Sequence, residues 1–579
     1  MKKALLFIGV LAASFAHAQM LYVNNSDSTY LAIDTEKVGD IRFYEDEQVI
    51  FFEQEDRIYS QFATSKITNI APASNNGKEL IYNINPTIDF DAADKDNFNE
   101  ITQPVPTDEL AEEYGDFVEN YSTSRIITIT FSETGVKTTT LPAGITATIN
   151  GSHIVINSTI GKIGYQIKGT CSNGSLKIYS DKKFRLLFGG ITLTNPAGPA
   201  INIQSGKTVY ASIVNGTTNT ICDGATYNAP AVDSNGEEED QKGTLFSEGQ
   251  LIFDGYTNGT GILNVTSHGG HAVCSDDYIM VRGGNINILS AAKDGFRTKE
   301  KFIIGRTEAY SPTITINATS NGIECTEGTL TIEAGKLDIT SGGEGIKVVY
   351  DELVPDPKVI PDAYIAGGFI KITTTGEKSS AIQTTRNYRQ NGGIIQATVG
   401  GNGSKIINCD GDATFSGGKL TGIVNGTVAS DETSAGGIKC AGDIEISNSI
   451  IAIDCKGKGA KAINCDYNVT VNSGNVTVIA ASEDYTEIED DKKSRAIQAD
   501  CFTINDGVVV AKAYDYAISS GIAININGGI VNAISLNCIA LEIGVTQTGG
   551  WLLTKGLSIE WQTKDNQQLT RENSNSSPA

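Results

Sequence analysis

Basic residues are in short supply. Lys and Arg number 44 against 68 Asp and Glu, a net charge of −24. Phosphate recognition needs clustered Lys and Arg, so this deficit argues against nucleic acid as a partner, and equally against anionic lipid. Histidine stands at four residues, one of them within the first 18, and no C-x-x-C pair occurs, which argues against a zinc site. No apolar run beyond the N-terminus approaches the ~20 residues of a membrane span. Met (3) and Trp (2) are scarce and sustained heptads are missing, which excludes a long-helix architecture. What is plentiful is Gly (62), with Thr, Asn and Ile, the composition of many short strands joined by tight turns.

The first residues, MKKALLFIGVLAASFAHAQ, place Lys2 and Lys3 before an apolar run and Ala16-His17-Ala18 before Gln19. This is the pattern of a cleavable secretory signal over 1–18. With no Cys at the cut to carry a lipid, the expected location is extracellular or periplasmic. Residues 19–125 read as a β-rich N-terminal cap followed by an acidic linker. A short helix over 107–120 is expected there, with Thr107 as cap and Leu110, Tyr114 and Phe117 at helical spacing.

From 126 the chain repeats. A small or apolar residue followed by an apolar one recurs as Ala272-Val273, Gly295-Phe296, Gly322-Ile323, Gly345-Ile346, Ala381-Ile382, Ile406-Ile407, Gly437-Ile438, Ala462-Ile463, Ala496-Ile497 and Ala517-Ile518. Within NGIECTEGTLTIEAGKLDITSGGEGIKV (321–348), three strands can be read, each alternating apolar and polar residues between Gly-bearing corners. Each strand would stack on its equivalent one coil later. The predicted architecture is all-β, a right-handed parallel β-helix over 126–545, with a C-terminal cap and tail over 546–579. At about 4.8 Å per coil, ten coils give a body about 45–50 Å long.

Ten cysteines in an exported chain invite disulfides. The repeat suggests instead an inward column of small side chains, because Cys325, Cys409, Cys440 and Cys465 share one position. One or more disulfides remain the alternative.

The blocks ITATINGSHIVINS (145–158), KFRLLFGGITLTNPAGPAINIQSG (183–206), NGTTNTICDGATY (215–227) and GTLFSEGQLIFDGYTNGTGILNVTSHGGHAVCSDDYIMVRGGNINILSAAKDGF (243–296) follow one another in order. In them the chain resembles a family of secreted bacterial proteins that carry a carbohydrate-binding domain on a β-helix, pectate-lyase-like in shape. The resemblance implies binding of cellulose-like or acidic, polygalacturonate-like polysaccharide, with bound calcium and without established lyase activity. Coils of that family tend to start D-G-I. Here the acid survives at Asp294-Gly295 and becomes Asn321 and Glu344 further on.

Candidate calcium ligands are Asp276, Asp277, Asp294, Glu324, Glu327 and Glu344, since calcium takes six to eight oxygens and neighbouring coils can converge carboxylates. Asp223, in an Asp-Gly step, reads as a turn residue. For the sugar, the outward ladder Cys274, Arg297, Glu324, Lys347, Gln383, Asn408, Lys439, Asn464, Gln498 offers hydrogen-bonding groups coil over coil. Candidate contacts are Arg297, Lys299 and Lys347, with Tyr350, Tyr388 and Arg386 from the insertions VYDELVPDPKVIPDAY (349–364) and TRNYRQN (385–391). A solvated face of alternating charge is the alternative for the ladder, and simple cover of the solenoid is the alternative for the insertions. No signature marks a nucleophile, so the expectation is a non-catalytic, monomeric polysaccharide binder. An adhesin contacting protein and a calcium-dependent polysaccharide lyase stand as rivals.

Overall fold

The computed structural model describes strands within residues 20–71, residues 117–556 with short breaks, and the strands Trp561–Lys564 and Gln567–Leu569. The expected signal segment and most of the acidic linker lie outside the described residues. So does most of the expected helix over 107–120, of which Val118–Asn120 forms a single 3-10 turn.

Two compact units divide the chain, residues 1–87 and 88–579. The first holds two antiparallel three-stranded sheets. In one, Met20–Asn25 lies between Tyr30–Asp34 and Ile67–Ala71. In the other, Val49–Gln54 lies between Val38–Tyr44 and Tyr59–Ala63.

The second unit is a parallel β-helix. One coil consists of Ile323–Cys325, Leu330–Ile332 and Lys336–Ser341, and the next of Ile346–Val348, Ala363–Ile365 and Phe369–Thr374. Each strand pairs in parallel with its equivalent, Ile323 with Ile346, Leu330 with Ala363, Leu337 with Ile370. The stacking follows from the alternation in each strand. A three-residue strand buries two side chains and cannot hold them away from water alone; an equivalent coil above and below closes the core. Corners must be narrow for this. At Gly328 a Cβ would stand 1.6 Å from the Glu300 carbonyl oxygen of the previous coil, so no other residue fits there.

The repeated apolar step becomes one buried row. Val273, Phe296, Ile323, Ile346, Ile382, Ile407, Ile438, Ile463, Ile497 and Ile518 are partners in register on successive coils. All are buried, and truncating one such Ile costs about 2–5 kcal/mol.

Cys325, Cys409, Cys440 and Cys465 are buried as expected and lie in one row with Ser275, Thr298 and Thr384. They do more than fill space. Each thiol donates to a corner carbonyl of the preceding coil, Cys325 to Glu300 at 3.0 Å and Cys465 to Gly442 at 3.1 Å. The hydroxyls of Ser275 and Thr298 do the same toward Gly249 and Asp277. All ten cysteines are free thiols.

Parallel pairing stops at both ends of the stack. Arg125–Ser132 pairs in parallel with Ile163–Cys171 but antiparallel with Gly135–Thr138. Trp551–Lys555 is the last parallel strand, and Trp561–Lys564 and Gln567–Leu569 follow it antiparallel. Near the first coils an outward apolar stripe of Tyr210, Ile252, Met280 and Ile303 is covered by the segment around Val118 and Tyr121. Tyr121 stacks on Tyr210 at 4.9 Å, and Phe117 lies against the guanidinium groups of Arg282 and Arg306.

Candidate functional site

The outward ladder is continuous. Cys274, Arg297, Glu324, Lys347, Gln383, Asn408, Lys439, Asn464 and Gln498 are in-register partners on successive coils. It extends backward through Phe246 and Asn202. Outward is not the same as exposed: Asn202, Phe246 and Cys274 are buried. The insertion between Thr218–Cys222 and Gly243–Ser247 folds over this part of the row. Glu239 in the insertion bonds Lys177 (2.7 Å) and Tyr179 (2.6 Å), and the Asp240 carbonyl accepts from Asn202 and Gln204. Lys242 Nζ lies 5.7 Å from the Phe246 ring centre. Asp223 anchors the loop by accepting from Tyr227 and from Ser267, which fits its reading as a turn residue.

Where the insertion ends, an open cleft of about 1010 Å³ begins. Its walls include Tyr227, Asp240, Lys242, Glu248, His271, Asp276, Lys293, Arg297, Lys299 and Glu327. Carboxylate oxygens of Asp240, Glu248 and Asp276 lie within 4.8 Å of one another. Lys242 reaches Asp240 at 2.8 Å and Asp276 at 2.5 Å. Three acids against one ammonium leave excess negative charge. Burial, then Asp276 and Asp240, push Glu248 up to about 7. Burial also raises Asp276, against the pull of Lys242. Burial lowers Lys242, but Asp240 and Asp276 outweigh it and hold the ammonium above its usual range. The donor set fits a hard cation: these three carboxylates would supply part of a calcium shell, the rest coming from backbone carbonyls and water. Lys242 would compete with the ion for the same oxygens.

Of the six expected ligands, only Asp276 joins this cluster. Its neighbour Asp277 turns elsewhere, accepting from Gln250 and facing Glu300, with its carboxyl pushed up to about 6 by burial and then Glu300. Asp294 is occupied by the fold. Its Oδ2 lies 2.9 Å from His271 Nδ1, and its Oδ1 accepts the Asn321 backbone N–H at 2.9 Å. Burial opposes ionisation, but His271 and that N–H win and hold the carboxyl low. Asn321 Oδ1 in turn accepts the Glu344 N–H at 3.0 Å. The Asp-to-Asn change at the coil start therefore continues a structural ladder. Glu324 is 8% exposed and sits between Lys347 (3.1 Å) and Arg297 (3.6 Å). Glu327 lines the cleft against Lys299 at 3.3 Å. Geometry explains the division. Asp294 and Glu344 precede their ladder strands and Asp276 and Glu327 follow theirs, and three residues of strand span roughly 10 Å.

Asp240, Lys242 and Glu248 were absent from the expected set. Glu248 was within reach: Ser247 pairs with Ser275, so S-E-G (247–249) stacks on S-D-D (275–277). Asp240 comes from an insertion with no period to align.

Among the expected sugar contacts, Arg297 and Lys299 line the cleft. Lys347 lies two coils beyond Arg297 on the ladder. Tyr350 and Arg386 follow on the same row of corners, Tyr350 half-buried with its hydroxyl accepting from the Asp356 N–H at 3.1 Å. Arg386 is 45% exposed and faces Asp362 at 3.7 Å, with Arg389 at 3.9 Å from the same carboxylate. Tyr388 is a correction. It is fully buried in the core, because Tyr388–Gln390 is a strand whose first residue points inward. Its ring lies between Ala363 and Ala413 of the adjoining coils and 5.4 Å from Phe415. It cannot touch a sugar.

Residues 150–484, more than half the chain, match the model of a family described as "Carbohydrate-binding domain-containing protein", and the chain belongs to that family. A solved structure described as the polysaccharide lyase-like protein from C. thermocellum, a gadolinium derivative, is similar at 22% identity. It covers 50% of this chain and 95% of its own, with a TM-score of 0.35. No curated protein matches the chain. Among the described residues no helix is long and apolar enough to cross a membrane.

Proposed function

We propose that this chain is an exported, non-catalytic binder of a linear acidic polysaccharide. The cleft is the anchoring site and the outward ladder is the rail along which the chain extends. One observation carries the reading: Lys293, Arg297 and Lys299 share a single open cleft with the Asp240–Glu248–Asp276 cluster. Cations can face the uronate carboxylates directly, and calcium on the cluster can bridge protein and polymer. The match to a carbohydrate-binding family supports the class of partner.

The test is retention of the mature protein on insoluble polygalacturonate and on cellulose, each with calcium and with EDTA. Calcium-dependent retention on polygalacturonate is expected. Retention on neither polymer by folded protein overturns the reading.

One observation favours a second reading, β-elimination of a uronate. His271, oriented by Asp294, lines the cleft, and an imidazole so held is a competent base. Appearance of unsaturated uronate absorbance during incubation with polygalacturonate identifies this activity; a flat trace removes it.

A further inference from the structure

Beyond the cleft, the outward face carries a second charged region on the strands Lys405–Cys409, Gly436–Cys440 and Lys461–Cys465. The register sets Lys405, Gly436, Lys461 and Arg495 in one row, beside Lys439 of the ladder. Most cations here are answered by an acid. Lys378 pairs with Asp431, Lys439 with Asp466, Lys492 with Glu432 at 3.3 Å and Arg495 with Asp515 at 3.3 Å. Lys405 and Lys461 have no carboxylate partner among the described residues. Lys405 Nζ donates to the Gly403 carbonyl at 2.9 Å, and no side-chain partner meets Lys461.

Both lysines are half-buried, so each loses hydration with no carboxylate in contact. Asp431 attracts Lys405 and Asp466 attracts Lys461 from further off, but those acids are held by Lys378 and Lys439, and both lysines feel Lys439 between them. Burial first, then Lys439 and Lys378, hold Lys405 down at about 8. Burial, then Arg495 and Lys439, do the same for Lys461. In a chain with so many acids an opposing carboxylate is the easy solution, yet the position between the two lysines is Gly436. A Cβ there would stand 2.4 Å from the Lys461 carbonyl oxygen. The position between the two lysines therefore adds no side chain of its own, and the two lysine Cα atoms stand two coil rises, about 10 Å, apart along the row.

We propose that Lys405 and Lys461, on either side of Gly436, form a separate subsite for carboxylate groups of an acidic polysaccharide. This rests on the polysaccharide-binding reading above and adds a second point of attachment. The ligand supplies contacting anions to two cations that no carboxylate among the described residues touches.

The experiment titrates the full chain with an oligogalacturonate, its methyl ester and a sulfated oligosaccharide, and compares K405M/K461M and K405R/K461R. For the oligogalacturonate, the Met pair is expected to weaken binding about tenfold or more, while the Arg pair keeps it. Binding of the uncharged methyl ester should be the same in all three proteins. Without ligand, the Met pair should melt at a higher temperature, because like-charge crowding is relieved. Unchanged oligogalacturonate affinity in the Met pair overturns the subsite while leaving the cleft reading intact. A lower melting temperature for that pair overturns the premise that like-charge crowding and burial outweigh the distant acids at these two lysines. If the wild-type chain binds no oligogalacturonate, the polysaccharide reading itself has failed; sulfated-ligand binding that the Met pair abolishes would still support an anion subsite, and its absence would remove that too.

Discussion

Cys440 lies directly over Cys409 on the next coil, and each thiol donates to the corner carbonyl behind it, Gly411 for Cys440 and Arg386 for Cys409, both at 3.0 Å. The row is a hydrogen-bonded seam that closes one corner of most coils, interrupted by Val348 between Cys325 and Thr384, and Ser or Thr serves equally well at Ser275 and Thr298. Cys440→Ser is therefore expected to stay within about 1 kcal/mol of wild type, whereas Cys440→Ala should cost about 1–3 kcal/mol by losing volume and stranding a carbonyl. Urea denaturation of both variants checks this. Ala matching or exceeding Ser would reduce the seam to packing alone.

Calcium is expected to raise the melting temperature of the wild-type chain. Glu248→Gln combined with Asp276→Asn should abolish that rise, since two of three carboxylates are gone. Lys242→Met should strengthen calcium binding by removing the competing ammonium. Calorimetric titration with calcium measures both, and a Lys242→Met chain that binds less calcium would argue against a site at these oxygens.

Glu248 gives a pH signature. Its folded pKa, about 7, is above the ordinary value of 4.5. The folded state thus holds the proton more tightly than the unfolded chain. The contribution to stability is complete below about 4.5 and is lost as pH rises to about 7. Melting curves in EDTA should show wild type losing stability across that window relative to Glu248→Gln. The lysine pair runs the other way at high pH. Lys405 and Lys461 sit at about 8 in the fold, against 10.5 ordinarily. Stability should rise between about 8 and 10.5, where only the unfolded chain keeps those protons, while affinity for an acidic glycan falls. The charged groups facing them are Lys378, Asp431, Lys439, Asp466, Lys492 and Arg495, and the profile should flatten in K405M/K461M.

The two tyrosines proposed for sugar contact should separate cleanly. Tyr388→Ala is expected to cost about 3–5 kcal/mol, as for any large core truncation. Tyr350→Ala should cost little, about 0.5 kcal/mol, and weaken glycan binding if the ring stacks there. Equal destabilisation by the two variants would contradict the placement of Tyr388.

The solenoid was legible because its cause is periodic. The row from Val273 to Ile518 is an apolar step that returns once per coil, and the ladder from Cys274 to Gln498 follows one residue later; both appear in the sequence and in the register. The site was less legible because it depends on which end of a short strand a residue occupies, and on a loop without a period. Asp276 and Asp294 are both acids near one strand set, yet one opens on the cleft and the other holds His271 and Asn321 in place. Tyr388 in TRNYRQN resembles loop chemistry until its coil neighbours, Ala363 and Ala413, are aligned beside it; two alanines leave room for one inward ring.

The reversed strands at the two ends of the helix have a consequence for assembly. A parallel stack is open-ended, and any terminal coil is a template on which a second molecule could add in the same sense. Here Gly135–Thr138 at one end, and Trp561–Lys564 at the other, run against the stacking direction. A copy stacking head-to-tail in the same sense would meet strands of opposite polarity at these positions. On those strands, continuing the stack with a second chain would require antiparallel pairing, a different hydrogen-bond pattern from the one that joins the coils.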